Sequence, residues 1–170
     1  MGLRIDYKYC PQCKNDMDLV NDNPHCPVCD ITIYKNVVSA AAICIIRDDE
    51  VLLSRRAIEP FKGGYDLIGG FIIPGETPDA AAIREAKEET GLDVKITGLL
   101  GIYSDQYGEG SFTLGIHYLG EVVSGEQHAG DDAASLEWVS VDEIPEEALA
   151  TGFKNVRESL RDLKAKLGAK

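Results

Sequence analysis

Positive charge is scarce in this chain. Its 170 residues include 17 lysines and arginines against 29 aspartates and glutamates, so the formal net charge is −12. Proteins that bind the phosphate backbone of nucleic acids carry a basic patch or stripe, and anionic surfaces repel an acidic protein. We therefore expect no nucleic acid and no membrane among its partners, and we expect an anionic ligand to need cations as bridges.

Long apolar runs are also missing. No stretch approaches the roughly 20 apolar residues that a transmembrane helix needs, and residues 1–20 are polar, without the apolar core of a secretory signal peptide. Low-complexity segments and repeats are absent. The expectation is a cytoplasmic protein in which 44% hydrophobic residues supply one core and a small appendage.

Cysteine occurs five times, and four of the five form the matched pairs CPQC and CPVC. Twelve residues separate the pairs, whose thiols are Cys10, Cys13, Cys26 and Cys29. Four thiolates form a closed tetrahedral Zn²⁺ site, which has no open position for water and is therefore structural. Two disulfides are the alternative, but they need an oxidising compartment. We predict a structural zinc ribbon over residues 1–35.

The other features near the ribbon have plainer interpretations. His25 adjoins Cys26 and is an alternative ligand, although four cysteines suffice. Cys44 lies in the apolar run AAAICII and is interpreted as a buried core thiol. Because the ribbon holds no excess of basic residues, we expect it to be structural or to form a homodimer rather than to bind nucleic acid.

The most informative segment covers residues 70–92, GFIIPGETPDAAAIREAKEETGL. Glu85, Glu88 and Glu89 are spaced i, i+3 and i+4, so on a helix their carboxylates lie on one face. Three like charges destabilise a helix unless a cation lies among them. Mg²⁺, or Mn²⁺ in its place, is a hard divalent ion that prefers such oxygen ligands.

Start and stop signals define this helix. Thr77 fits the N-cap and Pro78 the first helical position, whereas Gly91 fits a left-handed C-cap. Before the helix, Gly70 and Gly75 belong to a loop whose backbone can approach a ligand closely. The segment predicts a glycine loop next to a helix that presents carboxylates.

The spacing of this segment resembles the Nudix hydrolase signature, G-x5-E-x7-R-E-U-x-E-E-x-G-U, in which U is a bulky aliphatic residue. Every fixed position is filled, by Gly70, Glu76, Arg84, Glu85, Glu88, Glu89 and Gly91. Leu92 fits its U position, and Ala86 is smaller than the pattern prefers. The resemblance implies an α/β fold, an α/β/α sandwich with a mixed sheet, and Mg²⁺-dependent hydrolysis of a pyrophosphate bond.

The same resemblance implies roles for individual residues. The ligands of Mg²⁺ would be the carbonyl of Gly70 and the carboxylates of Glu85, Glu88 and Glu89. Arg84 and Glu76 would form an ion pair that holds the loop on the helix. The alternative is that Arg84 pairs with Glu88 at i+4. We also predict a catalytic role for three of these residues, Glu88, Arg84 and Glu76.

The catalytic base lies outside the signature. Family members take it from a loop well after the helix, which corresponds to residues 125–137 of this chain. Asp132 is our candidate, with Asp131 and Glu126 as alternatives. Each of the three is also compatible with an ordinary solvated loop carboxylate.

Three residues are candidates for substrate binding. Phe61 and Lys62 offer a ring and a cation to the base and phosphate of a nucleotide, although Lys62 also fits a solvated surface. Tyr107 offers a ring that stacks on adenine or nicotinamide, although it is equally compatible with packing against the core.

A four-cysteine ribbon joined to this signature resembles the NADH pyrophosphatase group. That group carries a Ser-Gln-Pro-Trp motif after the signature, whereas residues 104–112, SDQYGEGSF, keep Ser and Gln and lack Pro and Trp. ADP-ribose hydrolases often carry a proline past the signature, and none occurs between Pro78 and Pro145. We expect a substrate of the NADH or ADP-ribose type, and the alternative is a non-catalytic module that senses nucleotides and uses the ribbon to bind partner proteins.

The remaining pattern predicts one catalytic domain over residues 36–170. Apolar runs indicate strands at 37–47, 51–56, 94–103, 111–123 and 136–141. Apolar residues at 3/4 spacing predict an amphipathic helix at about 152–168. We expect this helix to pack on the domain's own sheet.

Overall fold

The computed structural model describes residues 7–106, 111–130, 133–150 and 152–167. A small N-terminal sheet contains β1 Asp18–Val20, β2 Asn23–Cys26 and β3 Ile31–Thr32. A larger sheet contains β4 Val38–Arg47, β5 Glu50–Arg56, β6 Tyr65–Asp66, β7 Ile68–Phe71, β8 Leu92–Gln106, β9 Phe112–Gly125 and β10 Ala133–Ser140. The helices are α1 Pro78–Thr90, α2 Glu146–Ala150 and α3 Lys154–Leu167, and a 3-10 turn at Val141–Glu143 precedes α2.

The larger sheet is mixed. Its strand order is β10-β5-β4-β9-β8, with β6 paired to β5 and β7 paired to β4. Strands β4 and β9 are parallel, and the other pairs are antiparallel. All five strands expected from the apolar runs are present. Strands β8 and β9 extend beyond those runs because they pair with each other at their polar ends as well.

The side chains of β4 point alternately to the two faces of this sheet, and each face has its own hydrophobic core. Ala41, Ile43 and Ile45 cluster with the buried alanines of α1. Ala42 and Cys44 cluster instead with the apolar residues of α2 and α3. Because successive side chains of a strand point to opposite faces, α1 covers one face and α3 the other. The predicted α/β/α sandwich and the buried thiol of Cys44 are both confirmed.

Helix α1 has the predicted ends, and one of its caps differs from expectation. Thr77 occupies the N-cap position with extended backbone, but its side chain makes no capping hydrogen bond. Gly91 adopts the left-handed conformation with φ 72°, and its N–H donates to the Lys87 carbonyl. A Cβ at Gly91 would lie 2.2 Å from the His128 ring, so this position requires glycine for space as well as for conformation.

Helix α3 confirms the amphipathic pattern read from the sequence. Val156, Leu160 and Leu163 are buried in the core on the α3 face of the sheet. Tyr103 of β8 donates a hydrogen bond from its hydroxyl to Asp162 Oδ2 at 2.8 Å, which ties the helix to the sheet. No helix in the described residues is long and apolar enough to cross a membrane.

Candidate active site

Arg84 lies at the centre of an ion-pair network on α1. Its Nε and Nη2 donate to the two carboxylate oxygens of Glu76 at 2.9 and 3.0 Å, a bidentate arrangement. Its Nη1 donates to Glu85 Oε1 at 2.7 Å and to Glu88 Oε2 at 2.9 Å. The two pairings considered from the sequence, with Glu76 and with Glu88, therefore occur together.

This network also holds the loop between β7 and α1 against the helix. Arg84 Nη2 also donates to the Phe71 carbonyl at 3.2 Å, and the Ile73 N–H donates to Glu76 Oε2 at 3.3 Å. The hydrogen bonds from Arg84 hold the pKa of Glu76 below its usual value. Those same bonds, with a further one to Glu85, raise the pKa of Arg84. The loop after β7 is thus held on α1 by charged hydrogen bonds.

The backbone of β7 passes directly against the carboxylates of α1. A Cβ at Gly70 would lie 2.3 Å from Glu85 Oε1, so a larger residue here would have to displace the Glu85 carboxylate. One residue earlier, the Gly69 N–H donates to Glu89 Oε2 at 3.3 Å. A Cβ at Gly69 would in turn lie 2.4 Å from the Ala41 carbonyl oxygen. The fold therefore brings together the glycine and two of the glutamates that the sequence singled out.

The donor set of this cluster fits a hard divalent cation. Carboxylate and carbonyl oxygens are the ligands that Mg²⁺ and Mn²⁺ prefer, and the missing Cβ of Gly70 leaves room beside the Glu85 carboxylate. In this structure the Arg84 guanidinium bridges Glu85 and Glu88, while Glu89 turns to the Gly69 N–H. Glu88 is more exposed than Glu85, with 59% against 15% of its side chain accessible.

A cavity of about 490 Å³ opens beside the cluster. It reaches from the carboxylates of α1, past the glycines of β7, to the start of α3 on the other face of the sheet. Its lining on the α1 side includes Gly69, Gly70, Arg84, Glu85 and Glu89. Its lining on the α3 side includes Ala42, Thr113, His117, Phe153, Asn155 and Val156. One end of the cavity carries the carboxylates of α1, and the other is lined by these uncharged side chains together with a paired arginine and aspartate.

Arg56 and Asp66 also line this cavity, and the sequence analysis missed both. Arg56 Nη1 donates to Asp66 Oδ2 at 2.6 Å, and the Leu67 N–H donates to Asp66 Oδ1 at 2.9 Å. Burial raises the pKa of the Asp66 carboxyl, although its arginine partner opposes the shift. The Arg56 guanidinium also lies 5.1 Å from the centroid of the Phe153 ring. The available signal was an arginine pair at the end of a buried strand, VLLSRR.

His117 is a second cavity residue that the sequence analysis missed. It is 2% exposed, and its Nδ1 has no hydrogen-bond partner in the described structure. Burial lowers the pKa of His117 to about 4, so the imidazole is uncharged at neutral pH. The signal was present in the strand run FTLGIHYLG, where a polar residue occupies an inward-facing position.

The loop that carries the candidate base is anchored to the end of α1. The His128 N–H donates to the Thr90 carbonyl at 2.9 Å, and the Gly130 N–H donates to the Glu89 carbonyl at 2.8 Å. A Cβ at Gly130 would lie 2.5 Å from the Glu88 carbonyl oxygen. Two candidates, Asp131 and Asp132, lie outside the described residues. The third, Glu126, is exposed.

The three candidate substrate contacts have different surroundings. Phe61 packs edge-on against Phe153, with ring centroids 5.1 Å apart, and Phe153 lines the cavity. Lys62 is exposed on the same loop. Tyr107 lies outside the described residues.

The four paired cysteines meet at one point of the N-terminal sheet. Their Sγ atoms all lie within 4.8 Å of one another, and they belong to Cys10, Cys13, Cys26 and Cys29. Two of the four residues are buried. This donor set fits the tetrahedral zinc site predicted from the sequence.

Neighbouring groups support the cysteine cluster. Asn15 Nδ2 donates to Cys13 Sγ at 3.4 Å, and hydrogen bonds from Asn15 lower the pKa of Cys13 to about 6. His25 turns to other partners, since its Nδ1 lies 3.1 Å from Thr32 Oγ1 and its Nε2 lies 3.9 Å from Asp30. The cysteines therefore form the cluster without the histidine.

Comparison with known proteins agrees with this site. The NUDIX domain family matches residues 36–163, which include β4, the glycine loop, α1 and most of α3. The chain therefore belongs to the Nudix family, and it is a Nudix hydrolase, an enzyme that acts on pyrophosphate bonds.

Among its relatives is the ADP-ribose pyrophosphatase of Methanocaldococcus jannaschii, 40% identical over 115 residues that cover 66% of this chain and 68% of the relative. The NAD-capped RNA hydrolase NudC of Pseudomonas fluorescens is 30% identical over 145 residues, or 82% of this chain. The matched region spans only about half of that relative's length, 50%.

Solved structures show the same fold. A NUDIX hydrolase from Nitrosomonas europaea superposes with a TM-score of 0.79 at 24% identity, covering 96% of this chain and 94% of the other. A second NUDIX hydrolase structure from Nitrosomonas europaea has a TM-score of 0.69 at 26% identity, covering 78% of this chain and 91% of the other. At 96% coverage, the first of these superpositions includes the N-terminal sheet as well as the larger sheet.

Proposed function

We propose that this protein is a Mg²⁺- or Mn²⁺-dependent hydrolase that cleaves the pyrophosphate bond of a nucleoside diphosphate linked to another group, of the ADP-ribose or NADH type. The observation that carries the proposal is the cavity, in which carboxylates of α1 and the backbone of Gly70 face a space that continues to the side chains of β9 and α3. The 40% identity to a relative named ADP-ribose pyrophosphatase supports ADP-ribose as the first substrate to test.

In the proposed mechanism, the Gly70 carbonyl, Glu85 and Glu89 would hold the divalent ion, and Glu88 would join them directly or through water. The chemistry that such an ion would supply is neutralisation of the diphosphate oxygens and activation of the attacking water. Arg84 and Glu76 act by position, because their bidentate pair keeps the Gly70 loop at its distance from the helix. Asp132 is proposed as the base that takes the proton of the attacking water.

The assignment of Asp132 draws support from the residues that flank it. Gly130 is hydrogen-bonded to the backbone of Glu89, and Ala133 begins β10. We expect Asp132→Asn to lower kcat by about 10²- to 10⁴-fold with little change in KM, since a general base contributes on that scale. The measurement is steady-state hydrolysis across pH, with Glu126→Gln as the control. Normal kcat in Asp132→Asn together with loss of turnover in Glu126→Gln would move the base to Glu126.

Product analysis tests the proposed function itself. The protein is incubated with Mg²⁺ and, separately, with ADP-ribose, NADH, diadenosine tetraphosphate, ATP and an NAD-capped RNA. AMP from ADP-ribose or NADH is the expected result. Pyrophosphate from ATP would instead indicate a nucleotide-sanitising enzyme, and cleavage of the capped RNA would contradict the expectation of no nucleic-acid partner. Nucleotide binding without any product would favour the sensing module.

The domain division is also part of the proposal. We assign residues 1–35 to a structural Zn²⁺ ribbon and residues 36–170 to the catalytic domain. The four converging thiols support the first assignment, and the NUDIX match over residues 36–163 supports the second. A chelator that strips the metal should therefore disorder the ribbon and leave the catalytic domain folded, as hydrogen exchange can show.

A further inference from the structure

Small side chains form the floor of the cavity at its α3 end. Thr113, Gly115 and His117 are two residues apart on β9 and therefore share one face of the sheet. Strand β4 places Ala40 beside Gly115 and Ala42 beside His117. This floor leaves open space above the sheet where larger side chains would fill it.

The imidazole of His117 directs one nitrogen toward that space. A Cβ at Gly115 would lie 2.6 Å from His117 Nε2, so glycine keeps the region next to this nitrogen free. Nδ1 is fully buried without a partner. An unpartnered buried N–H is costlier than an unpartnered lone pair, so the proton of the neutral ring belongs on Nε2. His117 therefore offers an uncharged N–H donor.

An aromatic ring and an amide form the wall above this floor. Phe153 lines the cavity, and the Phe61 ring packs edge-on against it at an interplanar angle of 84°. Asn155 stands at the start of α3 near Gly115, and its backbone N–H donates to Asp105 Oδ2 at 3.2 Å. These wall and floor side chains are uncharged, and the Arg56 guanidinium near the Phe153 ring is already paired with Asp66 at 2.6 Å. A flat ring with hydrogen-bonding edges therefore matches these surroundings better than a charged group does.

We propose that the α3 end of the cavity is the subsite for the nucleoside of the substrate, with the His117 Nε2–H as a specific donor to it. The inference rests on the proposed function for the presence of a nucleotide, and it adds where the nucleoside lies and which residue recognises it. Strand register gives the scale: Gly69 pairs with Ala42, and Ala42 pairs with His117. Two strand spacings make this separation roughly 10 Å, a span that connects a diphosphate at the carboxylates to a nucleoside.

The experiment measures equilibrium binding, so it does not depend on turnover. AMP is the nucleoside probe and ribose 5-phosphate is the probe without a base, each titrated by calorimetry in the presence of Mg²⁺. The proteins are the wild type, His117→Leu and His117→Gln, and the glutamine amide restores an N–H donor close to the Nε2 position. We expect His117→Leu to weaken AMP binding about tenfold and His117→Gln to recover most of it. Ribose 5-phosphate binding should be unchanged.

Three outcomes overturn the inference: no AMP binding by the wild type, equal AMP affinity in all variants, or weakened binding of ribose 5-phosphate instead of AMP. Melting curves establish that each variant is folded. If His117→Leu does not fold, His117→Asn replaces it, because its amide lies near Nδ1 and should not restore AMP binding. Failure of the wild type to hydrolyse both ADP-ribose and NADH would refute the proposed function, while the AMP titrations would still decide the subsite.

Discussion

Replacement of Glu89 by glutamine is expected to remove nearly all turnover of ADP-ribose while the fold stays intact. A metal-bound carboxylate supports a cation that contributes several kcal/mol to the transition state, so kcat/KM should fall by about 10³-fold or more. Stability should change little, because the amide oxygen of glutamine can still accept the Gly69 N–H that now bonds to Glu89 Oε2 at 3.3 Å. The measurements are the rate of hydrolysis in the presence of Mg²⁺, the affinity for Mn²⁺ and the melting temperature.

A matched substitution provides the control for Glu89→Gln. Glu121 is exposed, pairs with Lys95 at 3.0 Å across β8 and β9, and is not among the described residues that line the cavity. Glu121→Gln removes the same charge from the chain and should leave both kcat and KM at wild-type values. Wild-type turnover in Glu89→Gln would show that α1 is not the metal platform.

The second large effect is expected in the ribbon. Purified protein should contain close to one zinc per chain, and Cys26→Ser should lose it together with the hydrogen-exchange protection of β1, β2 and β3. A structural zinc contributes on the order of 10 kcal/mol to the folding of small zinc domains, and a three-stranded ribbon has almost no core to replace it. Turnover should survive, because the described residues that line the cavity run from Ala40 to Val156 and none belongs to the ribbon.

Cys44 offers the control within the same chain. Its thiol is fully buried in the core on the α3 face, where burial raises its pKa to about 12. Cys44→Ala should keep the zinc and lose some thermal stability through the cavity it leaves. Wild-type protein without zinc, with disulfides joining Cys10, Cys13, Cys26 and Cys29 in pairs, would overturn the ribbon assignment.

Local spacing made the α1 region predictable from the sequence. The positions of Glu85, Glu88 and Glu89 on one helix face follow from residue number alone, and the helix ends were marked by Thr77 and Gly91. The cysteine cluster was predictable for the same reason, since each pair is separated by two residues. The sequence did not predict one partner of Arg84. Besides Glu76 and Glu88, which were both considered, Arg84 also donates a hydrogen bond to Glu85.

The α3 end of the cavity could not be predicted from the sequence, because its residues come together only through the pairing register of the strands. Gly69, Ala42 and His117 lie in one row across β7, β4 and β9, although they come from three distant parts of the chain. Single-sequence periodicity indicates which face of a strand is buried, but it does not say which strands become neighbours. Arg56 and Asp66 were missed for the same reason, because their pairing depends on β5 lying beside β6.

The alternation along β4 has a consequence for how this enzyme can diversify. Ala41 supports the helix that carries the carboxylates, whereas Ala42, the next residue, borders the α3 end of the cavity. On the proposed assignment, substitutions on β9 or α3 can therefore reshape the nucleoside subsite without moving α1. On the proposed assignment, the metal-binding helix and the nucleoside subsite lie on opposite faces of one sheet, at the two ends of the same cavity.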